Sequence, residues 1–230
     1  MTDTVVCNKV TKIYNQGGTS ISALKDIDLC IEKAELVSIS GPSGSGKSTL
    51  LNMMGGLDRP TSGEVYIAGQ RIDLLSNAER AHLRLHKIGF IFQAYNLIPV
   101  LTAKENVEFI MQLQQIDAVE RSKRSLEILE TVGLAGKENR FPGELSGGQQ
   151  QRVAIARAIV SSPNIILADE PTANLDSKTA QDILEIMVKM NSERQVTFVF
   201  STHDKLVMSY AKRLIKLHDG SIAFDEEQNR

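Results

Sequence analysis

Cysteine is scarce in this sequence: Cys7 and Cys30 are the only two, and they do not form a CxxC pair. Both lie in segments that are predicted to be strands, which suits buried thiols in a reducing compartment. The pattern argues against a disulfide framework and against a redox role.

An excess of positive charge is also missing, since the formal net charge is −2 at pH 7. Without a long-range positive field, nucleic acid is not expected as a partner. Several basic residues recur at helical spacing, as expected for a solvent-facing helix surface. They are Arg80, Arg84, Lys87, Arg121, Lys123 and Arg124.

Long apolar runs and targeting signals are not found in the sequence. No uninterrupted apolar run approaches the ~20 residues of a membrane-spanning helix. Residues 1–4 lack the basic region and the apolar core of a signal peptide. We therefore expect a cytoplasmic chain that reaches a membrane only through a partner.

A histidine metal motif is missing as well. His82 and His86 lie four residues apart on a predicted helix, but no third ligand and no HExxH glutamate accompanies them. His218 precedes a turn and has no predicted role. We expect no metal site at these histidines.

A glycine-rich loop of the form GxxxxGK followed by Ser lies between an apolar run at residues 36–40 and a predicted helix at residues 47–54. Its glycines let backbone N–H groups turn toward a phosphate, and the helix directs the positive end of its dipole at the same anion. Lys47 is expected to reach the β- and γ-phosphates of a nucleotide, and the Ser48 hydroxyl to bind Mg²⁺. The predicted phosphate loop consists of Gly41, Pro42, Ser43, Gly44, Ser45, Gly46, Lys47, Ser48 and Thr49.

Two alternating segments, residues 5–14 and 21–31, precede the phosphate loop and are predicted to form an antiparallel layer that flanks the nucleotide. Tyr14 ends the first segment, where its ring is a candidate for stacking on a purine. Without further motifs, a core or surface aromatic is the alternative.

A short apolar run at residues 88–92 is predicted as a buried strand and ends at Gln93. Polar groups at strand ends of an open α/β sheet face the ligand crevice, so Gln93 is a candidate site residue. The apolar residues 94–101 are interrupted by Pro99 and form neither a good helix nor a good strand. A loop packed on its own domain and an exposed patch that binds a partner both remain possible interpretations.

Helical spacing at residues 102–114 and 117–132 predicts an insertion of helices between strands of the sheet. A Gly-Gly pair at residues 147–148 then precedes a helix and supplies a second anion-binding N-terminus. One chain seldom needs two such sites for one nucleotide, so the second is expected to serve a nucleotide held by another copy. This motif consists of Ser146, Gly147, Gly148 and Gln149, preceded by Leu145.

Two further apolar strands are predicted to deliver polar groups to the sheet edge that carries the phosphate loop. Asp169 and Glu170 follow the run at residues 165–168, and His203 follows the run at residues 196–200. Adjacent acids directly after an apolar strand are predicted to lie at this edge, and two solvated turn acids are the alternative.

With the phosphate loop, LSGGQ, a strand followed by Asp-Glu and a strand-end histidine in this order, the chain resembles the nucleotide-binding subunit of ATP-binding-cassette (ABC) transporters over nearly its full length. Residues 52–58 and 93–99 are similar to the subgroup that includes lipoprotein-release and macrolide-export systems. Residues 173–176, Ala-Asn-Leu-Asp, depart from the commoner SALD sequence, and that variant is known in the subgroup.

The resemblance implies an α/β fold, a P-loop NTPase (RecA-like) core with an N-terminal antiparallel β layer and an inserted α-helical subdomain. Residues 1–230 would form one ABC ATPase domain. Residues 1–93 and 163–230 would form the nucleotide-binding core with its β layer, and residues 94–162 the helical subdomain with the signature.

The resemblance also implies the role of each matching residue. For ATP binding, Tyr14 would stack on adenine, the phosphate loop would be Walker A, and the signature would consist of Ser146, Gly147, Gly148 and Gln149. Mg²⁺ would be bound by Ser48, Gln93 and Asp169. In hydrolysis, Glu170 would be the general base, Asp176 the D-loop acid and His203 the switch histidine, and Gln93 and Lys47 would also take part in catalysis.

The implied activity is Mg²⁺-dependent ATP hydrolysis by a head-to-tail dimer. The dimer would enclose two ATP molecules, each between the Walker A loop of one copy and the signature of the other. The Tyr95 to Leu101 patch, residues 95–101, would receive a helix of a separate membrane permease. The chain would thus lie on the inner face of the plasma membrane, and the absence of a fused membrane domain favours the lipoprotein-release type over the macrolide exporters.

Two alternatives from the same family differ in function. A cell-division ATPase would signal through a membrane partner without moving a substrate. A repair or translation ATPase usually carries two cassettes or a long coiled-coil insertion, and neither is present here.

Overall fold

The computed structural model describes residues 3–228 of the 230-residue chain. The strands within them are β1 Asp3–Gln16, β2 Thr19–Glu32, β3 Leu36–Ser40, β4 Ser62–Ile67, β5 Gln70–Arg71, β6 Ile88–Ile91, β7 Ile165–Asp169, β8 Thr197–Ser201, β9 Arg213–His218 and β10 Ser221–Glu227. The α-helices are α1 Lys47–Met54, α2 Asn77–Lys87, α3 Ala103–Leu113, α4 Ala118–Thr131, α5 Gly147–Ile159, α6 Ser177–Arg194 and α7 Lys205–Tyr210, and a short 3-10 helix spans Pro142–Glu144.

The larger sheet has the strand order β10-β9-β3-β8-β7-β6. Its strands run parallel from β9 to β6, and β10 is antiparallel to β9 at one edge. β3 lies between β8 and β9, and all of its residues are buried. Because the carboxyl ends of parallel strands meet at one edge, the segments after β3, β6, β7 and β8 converge there.

Alternate residues of this sheet supply two hydrophobic cores. In β7, Ile165 and Leu167 face a core that includes α1 and the smaller sheet, whereas Ile166 and Ala168 face a core built with α3 to α6. A strand that is apolar on both faces is typical of a parallel sheet covered on both sides. This explains why β7 and β8 are continuous apolar runs.

The smaller sheet is antiparallel, with the order β2-β1-β4-β5. β1 and β2 pair along nearly their whole length through a turn at Gly17 and Gly18, which have φ values of 57° and 82°. The predicted antiparallel layer is confirmed, and β4 and β5 form a further hairpin through Gly69. Tyr14 pairs with Ile21 near the end of the first hairpin.

Helices α3, α4 and α5 lie between β6 and β7 along the chain and pack on one another around Val107, Met111, Ile128 and Leu129. Thr102 begins α3 with a capping box to Glu105. The predicted insertion of helices is therefore confirmed, while the division of the chain at residues 94 and 162 stays a prediction.

Three features near the carboxyl end differ from the sequence prediction. The sequence predicts a helix over residues 178–190, but α6 continues to Arg194. The short helix α7 has no counterpart in the prediction. The sequence predicts a strand over residues 221–224 and a polar tail over residues 225–230, but β10 continues to Glu227, where Arg213 of β9 pairs with Asp225 at 2.7 Å. Residues 229–230 of that tail lie outside the described residues.

The two cysteines occupy different environments. Cys7 is buried in the core, and burial is the main cause that raises the pKa of its thiol to about 12. Cys30 is exposed, so the prediction of two buried thiols is wrong for this residue. Cys30 of β2 lies opposite Val6 of β1, the neighbour of Cys7. Because successive side chains of a strand point to opposite faces, Cys30 shares the face of Val6 and not the buried face of Cys7.

Between residues 3 and 228, none of the helices has both the length and the apolar composition that crossing a membrane requires.

Candidate nucleotide-binding site

The phosphate loop joins β3 to α1, and its glycines adopt backbone angles that other residues rarely adopt. Gly41 has φ 149°, and a Cβ atom there would lie 2.4 Å from the carbonyl oxygen of Leu217. Gly46 has φ 102° and leaves equally little room, with Ala23 O 2.5 Å from a would-be Cβ. Gly46 also begins α1 without a side-chain cap, so the first N–H groups of the helix remain for an anion.

Lys47 lies across the phosphate loop. Its Nζ donates to the carbonyl oxygens of Gly41 and Pro42, at 2.8 and 3.0 Å. The ammonium group is therefore held by neutral carbonyl oxygens. A nucleotide phosphate is a stronger acceptor for it, because the phosphate carries a negative charge that attracts the ammonium group.

Ser48 and Asp169 come together although they are distant in sequence. The Ser48 hydroxyl lies 3.5 Å from Oδ1 of Asp169, the last residue of β7. Ser201 of β8 is the strand partner of Asp169. Its Oγ is buried without a hydrogen-bond partner among the described residues, and Ser201 and Asp169 line one cavity. An unpartnered buried hydroxyl beside a carboxylate suits a site that is completed by a hydrated cation.

These groups fit Mg²⁺ better than a transition metal. No cluster of three or more His, Cys, Asp or Glu side chains within residues 3–228 is arranged to hold a metal. Mg²⁺ is usually bound by one or two protein oxygens together with substrate phosphates and waters. Ser48 and Asp169 supply such oxygens next to the phosphate loop.

Glu170 follows Asp169 and is held by residues that follow β8. Its Oε1 lies 2.6 Å from Nδ1 of His203, and its Oε2 accepts from the Thr202 hydroxyl at 3.0 Å. Its backbone has φ 46°, and its N–H donates to the carbonyl of Ser201 at 2.9 Å. Residues of this type seldom adopt a positive φ, so the surrounding contacts hold this geometry.

Gln93 follows β6 and lines the same cavity as the phosphate loop. The Nδ2 atom of Asn174 donates to its carbonyl oxygen at 3.0 Å. The loop after β6 is thereby tied to the loop after β7. Asn174, one of the residues at which Ala-Asn-Leu-Asp differs from SALD, thus has a structural role within the chain.

The sequence-predicted residues that share one cavity come from four strand ends. The cavity has a volume of about 660 Å³. Its lining includes most of the phosphate loop together with Gln93, Asp169, Glu170 and His203.

Tyr14 lies near the edge of this cavity, since its strand partner Ile21 is part of the lining. Tyr14 is 38% exposed, and its hydroxyl donates to Asp58 Oδ2 at 3.0 Å. Lys12 pairs with the same carboxylate at 2.8 Å and lies 4.8 Å from the centroid of the ring. Burial, and then the hydrogen bond to Asp58, raise the pKa of the Tyr14 phenol. The ring is therefore fixed at its hydroxyl end and open to a flat ligand.

The signature residues are not part of the cavity lining. Ser146 begins α5 with a capping box, in which its Oγ accepts from Gln149 N at 3.3 Å and its own N–H donates to Gln149 Oε1 at 3.1 Å. A Cβ on Gly148 would lie 2.4 Å from Thr179 Cγ2, so close packing on α6 requires glycine. The first turn of α5 thus lies outside the lining of the cavity that contains the chain's own phosphate loop.

Asp176 is likewise outside the cavity and caps α6. Its carboxylate accepts from the amide and the hydroxyl of Thr179, at 3.0 and 2.6 Å. These hydrogen bonds, the hydroxyl bond first, lower the pKa of Asp176. The structure therefore gives this residue a helix-capping contact.

Residues 95–101 have properties of both sequence-based interpretations. Leu97 packs against the core with the helices, whereas Val100 is 78% exposed. Arg157 of α5 donates to the carbonyl oxygens of Tyr95 and Asn96, at 2.9 and 2.6 Å, and burial lowers the pKa of its guanidinium. The segment is both anchored to the signature helix and partly open to a partner.

A groove of about 760 Å³ adjoins this segment, and we call it the α3 groove. It is mainly apolar, and most of its lining was not predicted from the sequence. The residues that define it here are Leu57, Phe90, Ile98, Phe109, Leu113 and Arg157. Phe109 and Leu113 are exposed, and their spacing of four along α3 is the signal that points to an apolar helix face.

Comparison with known proteins places the chain in a defined group. The family model for the ABC transporter matches residues 24–173. An uncharacterized ABC transporter ATP-binding protein of Methanocaldococcus jannaschii is 50% identical over 95% of this chain and 97% of its own length. The lipoprotein-releasing system ATP-binding protein LolD of Geobacter metallireducens is 45% identical over 94% of this chain and 96% of its own length.

A solved structure shows the same fold. It is a dimeric, post-hydrolysis state of an ATP-binding cassette bound to ADP and Pi. It superposes with a TM-score of 0.90 at 48% identity and covers 98% of this chain and 99% of that one. The predicted α/β fold is thereby confirmed.

Proposed function

The chain belongs to the ABC transporter family, and from this premise we propose that it is the subunit that binds and hydrolyses ATP to drive a membrane partner. The substrate is MgATP, and the products are ADP and phosphate. The observation that carries the proposal is the meeting of the phosphate loop, Asp169, Glu170 and His203 around one cavity.

Binding of ATP is assigned to the phosphate loop and Tyr14. The glycine backbone and the N-terminus of α1 surround the β- and γ-phosphates, and Lys47 leaves the loop carbonyls to pair with them. The Tyr14 ring stacks on adenine at the edge of the cavity. Its hydrogen bond to Asp58 already restricts rotation of the side chain, so less conformational entropy is lost when the ring stacks on adenine.

Hydrolysis is assigned to residues at the other strand ends. Ser48 and Asp169, with Gln93, would hold Mg²⁺, which would neutralise charge on the phosphates. Glu170 accepts a proton from the attacking water, and His203 and Lys47 stabilise charge on the γ-phosphate. Positioning and electrostatics supply nearly all of the catalysis in such a reaction.

The working unit is a head-to-tail dimer. The signature of one copy, from Ser146 to Gln149, covers the nucleotide in the phosphate loop of the other. This arrangement is supported by the position of the signature outside the chain's own cavity and by the dimeric state of the related cassette. A closed pair with two shared sites also obeys the two-fold symmetry that most homodimers have.

The membrane partner is a permease, and the α3 groove with residues 95–101 is its binding surface. A contiguous exposed apolar surface of this kind marks an interaction site. The chain is thus attached peripherally to a membrane, and we assign it to the inner face of the plasma membrane. The similarity to LolD supports lipoprotein release or a related export as the process that is driven.

Purified protein tests this function directly. We expect Mg²⁺-dependent release of phosphate from ATP that rises more than linearly with protein concentration, because two copies form each site. Glu170→Gln should abolish turnover and trap an ATP-dependent dimer, whereas Lys47→Ala should abolish both. Turnover of Glu170→Gln at the wild-type rate would overturn the assignment of Glu170 as the base.

Co-purification from membranes identifies the process. A lipoprotein-binding permease pair supports export. A partner linked to murein hydrolases instead of a transported substrate would replace export by signalling.

A further inference from the structure

We propose that Thr202 is a positioning residue for hydrolysis, whose hydroxyl holds the Glu170 carboxylate in place while His203 changes partners. The inference rests on the proposed function, because it concerns the residue assigned as the general base. Thr202 itself is fully buried and is not part of the cavity lining.

The hydrogen bonds of the Thr202 hydroxyl have a defined direction. Its Oγ1 accepts from the backbone N–H of Asp204 at 3.0 Å and lies 3.0 Å from Glu170 Oε2. A hydroxyl has one proton, and an ionised carboxylate only accepts. The proton of Thr202 is therefore donated to Glu170.

The backbone around Thr202 is fixed from both sides. Its N–H donates to the carbonyl of Ile39 at 3.0 Å, in the strand that leads into the phosphate loop. On the other side, Asp204 caps α7 by accepting from Leu206 N at 2.8 Å. The residue whose hydroxyl contacts Glu170 is thus hydrogen-bonded through its backbone to β3, the strand that leads into the phosphate loop.

The two oxygens of Glu170 have partners of different mobility. Oε2 is bonded to the buried Thr202, while Oε1 is bonded to His203, whose side chain is 76% exposed. An exposed side chain can rotate to the γ-phosphate without disrupting the core. When His203 leaves, Oε1 becomes free to accept the proton of water, and Thr202 keeps the carboxylate oriented.

Loss of this orientation should lower the rate more than the affinity. A displacement of about 1 Å in a catalytic group can cost 10²-fold in rate. Thr202→Val keeps the shape of the side chain and removes the donor. We expect kcat to fall about 10- to 100-fold while KM for ATP stays within about threefold of the wild-type value.

Thr202→Ser is the matched variant, because it keeps the hydroxyl and removes one methyl group. We expect it to restore kcat to within about threefold of the wild type. Steady-state ATPase assays on both variants are combined with melting temperatures and with size-exclusion chromatography in a non-hydrolysable ATP analogue. Dimerisation in the analogue should persist in Thr202→Val, since phosphate binding and the signature are untouched.

Each result has one meaning for the inference. A low kcat with normal KM and normal dimerisation in Thr202→Val, rescued in Thr202→Ser, supports it. Wild-type kcat in Thr202→Val overturns it, and so does a loss of dimerisation that matches the loss of turnover, because that result means a structural role. If the wild-type protein itself does not hydrolyse ATP, the proposed function fails first.

Discussion

The Nδ1 atom of His203 lies 2.6 Å from Oε1 of Glu170, although the two residues follow different strands of the sheet. The side chain of Glu170 is 17% exposed and that of His203 is 76% exposed. The contact therefore joins a residue with a fixed position to one that has space to move. In the proposed reaction, these are the base and the residue that contacts the γ-phosphate.

Removal of the His203 ring should slow hydrolysis with little effect on ATP binding. We expect His203→Ala to lower kcat by about 10²- to 10³-fold, because a donor to the developing charge is lost. Steady-state ATPase assays and calorimetric titration of ATP measure the two effects. His86→Ala, on α2, is the control and should keep the wild-type kcat; an unchanged kcat in His203→Ala would disprove the assigned role.

Gly46 should tolerate no side chain. Gly46→Ala places a Cβ 2.5 Å from the Ala23 carbonyl oxygen at φ 102°. We expect loss of ATP binding and a decrease of about 2–4 kcal/mol in the free energy of unfolding. Gly17→Ala is the matched control, because Gly17 also has a positive φ of 57° but has no other atom within 4 Å of its would-be Cβ.

The control variant should cost only about 1–2 kcal/mol, the strain of a left-handed conformation, and should bind ATP normally. Chemical denaturation and calorimetry measure both quantities. Normal ATP binding by Gly46→Ala would show that the loop does not need this geometry.

The Tyr14 ring should contribute to affinity through stacking and little through its hydroxyl. Stacking of a base on an aromatic ring is worth about 1–3 kcal/mol, so Tyr14→Ala should weaken ATP binding about 5- to 150-fold. Tyr14→Phe keeps the ring and loses the bond to Asp58, and we expect its affinity to remain close to that of the wild type. Equal affinities of Tyr14→Ala and the wild type would place adenine elsewhere.

The α3 groove should be required for the permease and dispensable for basal hydrolysis. Leu113→Glu puts a charge on an apolar position that is 52% exposed inside the groove. We expect it to abolish co-purification of the permease from membranes of the source cell, with ATPase activity of the isolated protein unchanged. Val119→Glu, at a 78% exposed position on α4 outside the groove lining, should leave co-purification intact. Retained co-purification by Leu113→Glu would mean that the permease binds elsewhere.

Local patterns in the sequence were sufficient to predict the strand ends and loops that build the cavity. The apolar runs that precede Gln93, Asp169 and His203 are short and uninterrupted, and the spacing of the glycines before Lys47 is specific to phosphate loops. The helix α7 was not predicted because its six residues are too short for a periodic pattern. The extension of β10 was missed because it depends on the distant pair of Arg213 and Asp225.

Contacts between distant residues account for what the sequence could not show at the site. The hydroxyl of Thr202, the amide of Asn174 and the carboxylate of Asp58 are ordinary polar groups in the sequence. Their partners lie 32, 81 and 44 residues away, which no local spacing encodes. The groove has the same origin, because α2, α3 and α5 each contribute to it.

The central claim is that each ATP site is shared between two copies, and Ser146 offers a variant that tests it. Asp is as good an N-cap as Ser, so Ser146→Asp should keep the capping contact that now runs from Gln149 N to Ser146 Oγ. Its negative charge would nevertheless oppose the γ-phosphate of the partner's ATP. Ser146→Asn keeps the cap without the charge and is the control.

The most direct measurement is the ATPase activity of a mixture of Lys47→Ala and Ser146→Asp proteins. Each variant alone should be inactive, because both sites of its dimer are damaged. In a mixed dimer, the phosphate loop of the Ser146→Asp copy meets the intact signature of the Lys47→Ala copy, so we predict that mixing restores turnover. No recovery in the mixture, with both variants folded, or full activity of Ser146→Asp alone, would contradict the shared site.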